Sequence, residues 1–232
     1  MNPDIRFGAL DGSNPLAFLA ALGALRLLTR GCAASPPRIR WVQDGYWHPE
    51  VSNAPCRADE IPGVLLGSAP VRGVDLTAEL GKNLTVTRDV LKQFSEKAQR
   101  DRTLAGFAAA FGCEAIEGKR EQVQRTDFCF ITGSGHQDFL GTAAKLDELV
   151  TEAHLKTTLF GPWVRDEVKG ASFRWDPDDA AEYALQFKDP SKVGSSSVVG
   201  ANWLAFQALP CFSTQPCSAT QLRTTGFRRE RG

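Results

Sequence analysis

The sequence predicts an α+β protein, a single compact domain over residues 1–232 with a central buried helix and a small mixed or antiparallel sheet. Three observations predict it. The turn Asp11-Gly12-Ser13-Asn14-Pro15 opens a run from Leu16 to Leu28 that is apolar almost all round, the pattern of a helix enclosed by other elements. Part of that run recurs in Gly200-Ala201-Asn202-Trp203-Leu204-Ala205-Phe206-Gln207-Ala208, which shares the frame Gly-x-Asn-x-Leu-Ala-Phe-x-Ala. Short segments such as Arg38-Ile39-Arg40-Trp41-Val42 alternate with the two-residue period of half-buried strands.

The bulk composition narrows the class. A chain of 232 residues buries a substantial core, and 42% hydrophobic with 23% charged residues describes a globular chain rather than a disordered one. Lys plus Arg and Asp plus Glu are both 27, so net charge does not advertise a polyanion partner and charge has to be read locally. The apolar run contains Arg26 and stops at Thr29-Arg30-Gly31, short of the roughly 20 residues a membrane span needs. Six scattered cysteines lack zinc-site spacing. Without an export signal before the first helix, the cytoplasm and reduced thiols are expected.

Each element has its own justification. Ile5-Arg6-Phe7 reads as a short strand ahead of the Asp11-Gly12 turn. In the first helix Ser13 or Asn14 caps the free amides, and Pro15 stands where a missing N–H costs nothing. Ala17, Ala20, Ala21, Gly23 and Ala24 are small enough to admit another backbone. Residues 43–75, rich in Gly, Pro and Asn, read as an irregular surface excursion. From Thr87 to Phe111 the period is helical, with a break near Arg102-Thr103 and a stop at Gly112.

The second half is read the same way. Residues 126–132 read as a mostly buried strand ended by Gly133-Ser134-Gly135, and a helix follows from about His136 to Asp138 onward. Phe160-Gly161-Pro162-Trp163 is a turn with an aromatic anchor, and Phe173-Arg174-Trp175 reads as a strand. Asp176-Pro177-Asp178-Asp179 has the cap, proline and early acids of a helix start. The recurrent helix is expected to be capped by Asn202, and residues 223–232 form a basic tail.

Candidate chemistry is sparse. The turn Gly133-Ser134-Gly135-His136 can present backbone amides to a phosphate or carboxylate. It matches neither a Walker loop, nor a dinucleotide fingerprint, nor a nucleophile elbow, and a tight turn with a capping histidine is the preferred reading, with ligand contact as the alternative. His48, His136 and His154 are too scattered to define a metal site, and no metal or cofactor is expected. Arg88, Lys92, Lys97, Arg100 and Arg102, with Arg223, Arg228 and Arg229, are candidates for nucleic-acid phosphates, against the alternative of solvated helix faces. The five tryptophans read mainly as core or rim anchors.

The Asp11-to-Gly23 opening, Gly-Ser-Gly-His-Gln-Asp-Phe-Leu from Gly133, Leu159-Phe160-Gly161-Pro162-Trp163 and Gly200-Ala201-Asn202-Trp203-Leu204-Ala205-Phe206 occur in this order. Together they resemble accessory proteins of type I CRISPR loci of the U/G subtype, including those described as an extension of the helicase–nuclease and as large-subunit-like proteins. The resemblance implies a non-catalytic part in RNA-guided antiviral interference, with other effector subunits, guide RNA or target DNA, and the helicase–nuclease as partners. It implies no catalytic residue. It also suggests relatives that continue beyond Thr224-Thr225-Gly226-Phe227, so that this chain is a shortened member or part of a longer architecture. Two other readings stay open, a hydrolase using the turn at Gly133 to His136 and a protein-only adaptor.

Overall fold

The computed structural model describes residues 4–30, 32, 34–117, 121–129, 138–168, 170–178, 196–218 and 220–227. In chain order these form β1 (Ile5–Arg6), α1 (Pro15–Leu28), β2 (Arg38–Asp44), β3 (Tyr46–Ser52), α2 (Ile61–Ser68) and α3 (Gly73–Leu80). There follow α4 (Arg88–Ala98), α5 (Arg102–Phe111), β4 (Gly112–Glu117), β5 (Val123–Arg125), α6 (Phe139–Leu149) and α7 (Glu152–Phe160). The last are β6 (Asp166–Glu167), β7 (Ser196–Ser197), α8 (Val199–Gln207), a 3-10 turn (Leu209–Cys211), β8 (Thr214–Ser218) and β9 (Gln221–Thr224). Helices with small antiparallel sheets make the class α+β, as the sequence predicts. The chain divides into two compact units, Met1–Pro70 with Lys145–Ala208 and Val71–Ala144 with Leu209–Gly232.

In the first unit α1 begins as its sequence dictates. Asn14 Oδ1 accepts from the amides of Leu16 and Ala17 at 2.9 and 3.3 Å, and Pro15 takes the first helical position. The backbone admitted by its small residues is that of α8, the recurrent segment itself. A Cβ on Gly23 would overlap the Leu204 carbonyl, so only glycine permits this approach. All nine residues of α8 are buried, and Arg26 Nη1 donates to the Gln207 carbonyl at 3.1 Å, where the helix dipole is negative.

Asn202 does not cap α8, because the helix starts three residues earlier at Val199. Its buried amide instead accepts from Phe173 N at 3.0 Å and donates to Ser197 Oγ and the Val198 carbonyl. Asn14 reaches the same segment, donating from Nδ2 to Asp176 Oδ1 at 2.9 Å. The two asparagines of the repeated frame therefore fasten one stretch, residues 173–176. That stretch is not the expected strand. Arg174 has φ 63, and the Phe173 and Trp175 rings stack at 4.4 Å, closer than the roughly 7 Å that strand geometry places between alternate residues.

The three-stranded sheet has the order β1-β3-β2 and is antiparallel throughout. Pro49 lies in the central strand, and its missing N–H faces β1. Phe7 N still donates to the Pro49 carbonyl, but the Phe7 carbonyl has no donor there and accepts from Leu10 N. This proline therefore ends β1 after two residues. The excursion expected at 43–75 is largely regular, since β3, α2 and the start of α3 occupy it. Pro62 stands in the first turn of α2, where proline starts helices rather than breaking them.

In the second unit the helical period of residues 87–111 resolves into α4 and α5, broken where expected. Asp101 caps α5 through Thr103 N at 2.8 Å. Leu91 and Phe94 of α4, Phe107 and Phe111 of α5 and Phe139 of α6 are buried. The expected strand over 126–132 is a turn in its described part, closed by Cys129 N to the Thr126 carbonyl. Phe128 is buried there by edge contacts with Phe212 and Phe227 rather than by a sheet. The strands of this unit form the antiparallel hairpins β4–β5 and β8–β9, each with a shift of register. The helix start expected near 136 to 138 is observed at Phe139.

Candidate nucleic-acid interface

Six of the eight basic candidates are described, all in the second unit. Leu91, Phe94 and Ala98 turn one side of α4 inward. At about 100° per residue, Arg88 and Lys92 share one flank while Lys97 leaves by the opposite flank, with Asp89 and Glu96 between them. Arg88 Nε donates to the Glu114 carbonyl at 2.9 Å, and the Lys97 ammonium pairs with Glu79. Arg100 lies in the link to α5 and Arg102 opens that helix, both exposed. Arg223 projects from β9 between the buried Leu222 and Thr224. Thus Lys92, Arg100, Arg102 and Arg223 are exposed and enter no ion pair among the described residues. Arg228, Arg229, Gly133, Ser134, Gly135 and His136 lie outside the described residues.

In the first unit Arg6, Arg40, Arg57 and Arg165 are paired with carboxylates of the same unit. Arg6 meets Asp44 and Glu50 at 2.9 Å, and Arg40 meets Glu50 at 2.8 Å and Asp4 at 3.1 Å. The Arg40 and Arg6 guanidinia hold the Glu50 carboxyl below the usual carboxylate range. Asp176 is buried, paired with Arg165 at 2.7 Å and accepting from Asp178 N, so its role is structural. His154 Nδ1 accepts from Thr151 N in a capping box at the start of α7, and His48 Nδ1 lies 3.2 Å from the Leu10 carbonyl. Among the described residues no group of His, Cys, Asp and Glu could hold a metal, and no helix is long and apolar enough to cross a membrane.

Most tryptophans act as anchors. Trp41 stacks on Phe18, Trp163 Nε1 donates to the Thr158 carbonyl and Trp203 Nε1 to Asp147 Oδ1. Tyr46 and Trp47, beside the Gly45 turn of the β2–β3 hairpin, remain 65% and 45% exposed. One feature had no sequence signal: a cleft of about 530 Å³ between residues 4–6, residues 56–59 and Phe160. Burial, with Glu60, Asp59 and Cys32 nearby, pushes the Cys56 thiol up, away from the reactive thiolate. Comparison with family models, curated proteins and solved structures finds no match to this chain.

Proposed function

We propose that the chain is a non-catalytic subunit or accessory of an RNA-guided CRISPR interference complex and that its second unit contacts nucleic-acid phosphates. The observation that carries the phosphate contact is the set Lys92, Arg100, Arg102 and Arg223, exposed cations without a carboxylate partner among the described residues. An unpaired surface guanidinium or ammonium releases counterions when it meets a phosphate, whereas one already paired has to give up its partner. The assignment to an interference complex comes from the resemblance carried by the Asp11-to-Gly23, Gly133-to-Leu140, Leu159-to-Trp163 and Gly200-to-Phe206 segments. In such complexes base pairing reads sequence, so a protein part needs only backbone and shape contacts.

The test is co-purification of the tagged chain with its neighbouring gene products, with and without nuclease, followed by a salt titration of RNA and DNA binding. Replacing Lys92, Arg100 and Arg102 by Glu is expected to weaken binding. It is also expected to flatten the slope of log affinity against log salt by about 0.7–0.9 for each phosphate that is no longer neutralised. A complex that assembles unchanged after nuclease treatment and in high salt, with the triple variant binding as the wild type does, overturns the phosphate contact in favour of a protein-only adaptor.

A further inference from the structure

β2 stands at the edge of its sheet, and its seven residues pair with β3 in one unbroken register, from Arg38 opposite Ser52 to Asp44 opposite Tyr46. In an antiparallel strand the backbone groups of successive residues point to opposite sides. Phe7 N bonds to the Pro49 carbonyl and Gly12 N to the Trp47 carbonyl, so the odd-numbered residues of β3 face β1. Its even-numbered residues face β2, where Arg38, Arg40, Val42 and Asp44 lie opposite them. The N–H and C=O of Ile39, Trp41 and Gln43 are therefore turned outward, and none of them meets a partner among the described residues. Unpaired strand edges are templates for a further strand, and β2 has neither the proline nor the bulge that blunts such an edge.

We propose that β2 pairs antiparallel with β2 of a second copy of this chain, across a two-fold axis at Trp41. The spacing of the outward groups selects this occupant. Ile39 and Gln43 stand symmetrically about Trp41, so an identical strand run in reverse sets Trp41 against the partner's Trp41 and Ile39 against the partner's Gln43, each pair exchanging both backbone bonds. An axis at Arg40 or Val42 leaves one outward residue of each copy without a partner, and an axis at Ile39 or Gln43 leaves two. The same register sets Arg38 opposite the partner's Asp44. Arg38 is exposed and enters no ion pair among the described residues. Asp44 gives Oδ2 to Arg6, but its Oδ1 has no partner among the described residues and remains available to a second guanidinium. Ile39, Trp41 and Val42 are half-buried in one copy, and the paired edges cover more of each. The contact is isologous, so it closes after two copies and joins their three-stranded sheets into one. It lies in the first unit and does not depend on the phosphate contact proposed for the second.

The test is sedimentation velocity of the full chain in reducing buffer, so that the exposed Cys211 and Cys217 do not link copies. A monomer is expected to give way to a dimer, and to nothing larger, as concentration rises towards about 1 mM, the range of weak association. Amide hydrogen exchange is expected to slow over the same range at Ile39, Trp41 and Gln43, whereas Arg40 and Val42, turned towards β3, are protected at every concentration. Gln43→Pro removes a donor that points outward, at an exposed position where proline costs the single copy no ladder bond. It is expected to abolish the dimer with an unchanged circular dichroism spectrum. Arg38→Glu sets like charges opposite each other at both ends of the contact and is expected to weaken dimerisation about tenfold. Should Gln43→Pro fail to fold, Arg38→Glu and the exchange pattern decide. A monomer at every concentration, undiminished dimerisation in either folded variant, species larger than a dimer, or slowed exchange at a different set of amides overturns the proposal.

Discussion

Gly23 of α1 lies against the carbonyl of Leu204 in α8, so close that a single methyl group has no room. The two segments that share a sequence frame are thus packed on each other at a glycine. Gly23→Ala is expected to destabilise by about 2–3 kcal/mol, the cost of forcing two packed backbones apart. Gly67, near the end of α2, has open space around it. There the same change is expected to stabilise by about 0.5–1 kcal/mol through helix propensity alone. Urea unfolding of both variants checks the contrast.

Asn14 and Asn202 do different work despite their matching places in the frame. Asn14→Ala removes a helix cap and a bond to Asp176, and a loss of about 1–2 kcal/mol is expected. Asn202→Ala leaves the Phe173 amide buried without its acceptor, for which about 2–3 kcal/mol is expected. Chemical denaturation that ranks Asn14 above Asn202 would contradict the buried role of Asn202.

Gln207 offers a change in the opposite direction. It is fully buried in α8, and neither its Oε1 nor its Nε2 has a hydrogen-bond partner among the described residues. Its carbonyl, which receives Arg26, is unaffected by a side-chain change. Gln207→Met keeps the volume and removes two unsatisfied polar atoms, so a gain of about 1 kcal/mol is expected. A rise in thermal midpoint is the readout.

The Glu50 carboxyl, held low by Arg40 and Arg6, sets an acid limb. A carboxylate whose folded pKa is depressed contributes stability above its unfolded pKa, near about 4.3. That contribution fades as pH falls through the folded value. Asp11 adds in the same sense: burial pushes it up, but the hydroxyl and amide of Ser13 and the amide of Trp47 bring it below its ordinary value. Glu50→Gln is expected to flatten the loss of stability below about pH 4, with little change of slope near neutrality. Unfolding free energies across that range check it.

Much of the local structure was legible, because it depends on neighbours in the chain. The Asn14-Pro15 cap, the break ahead of Arg102 and the turn after Phe160 were each readable from a few adjacent residues. Strands were harder. Phe128 and Phe173 are buried as expected, but by ring contacts with residues remote in sequence rather than by ladders, and periodicity cannot tell these apart. The Gly, Pro and Asn content of residues 43–75 reads as irregular, although Pro49 sits in a central strand and Pro62 starts a helix. For the candidate site, the basic residues were visible individually. That Arg88 is taken by the Glu114 carbonyl and Lys97 by Glu79, leaving Lys92, Arg100 and Arg102 outside any ion pair among the described residues, depends on partners brought in by folding.

The sequence by itself determined that a buried helix begins at Asn14, that small residues leave one of its sides open to another backbone, and that the chain is α+β. Those features follow from capping chemistry and side-chain size, which act within a few residues. Only the tertiary structure decided that the open side meets the recurrent segment, that Asn202 fastens residue 173 instead of capping a helix, and that β1 joins β3 and leaves β2 at the edge of the sheet. Each of these depends on residues far apart in the chain, and the free energy that brings them together is the burial of Leu, Phe and Ala side chains, which is non-directional and leaves no local signature in the order of residues.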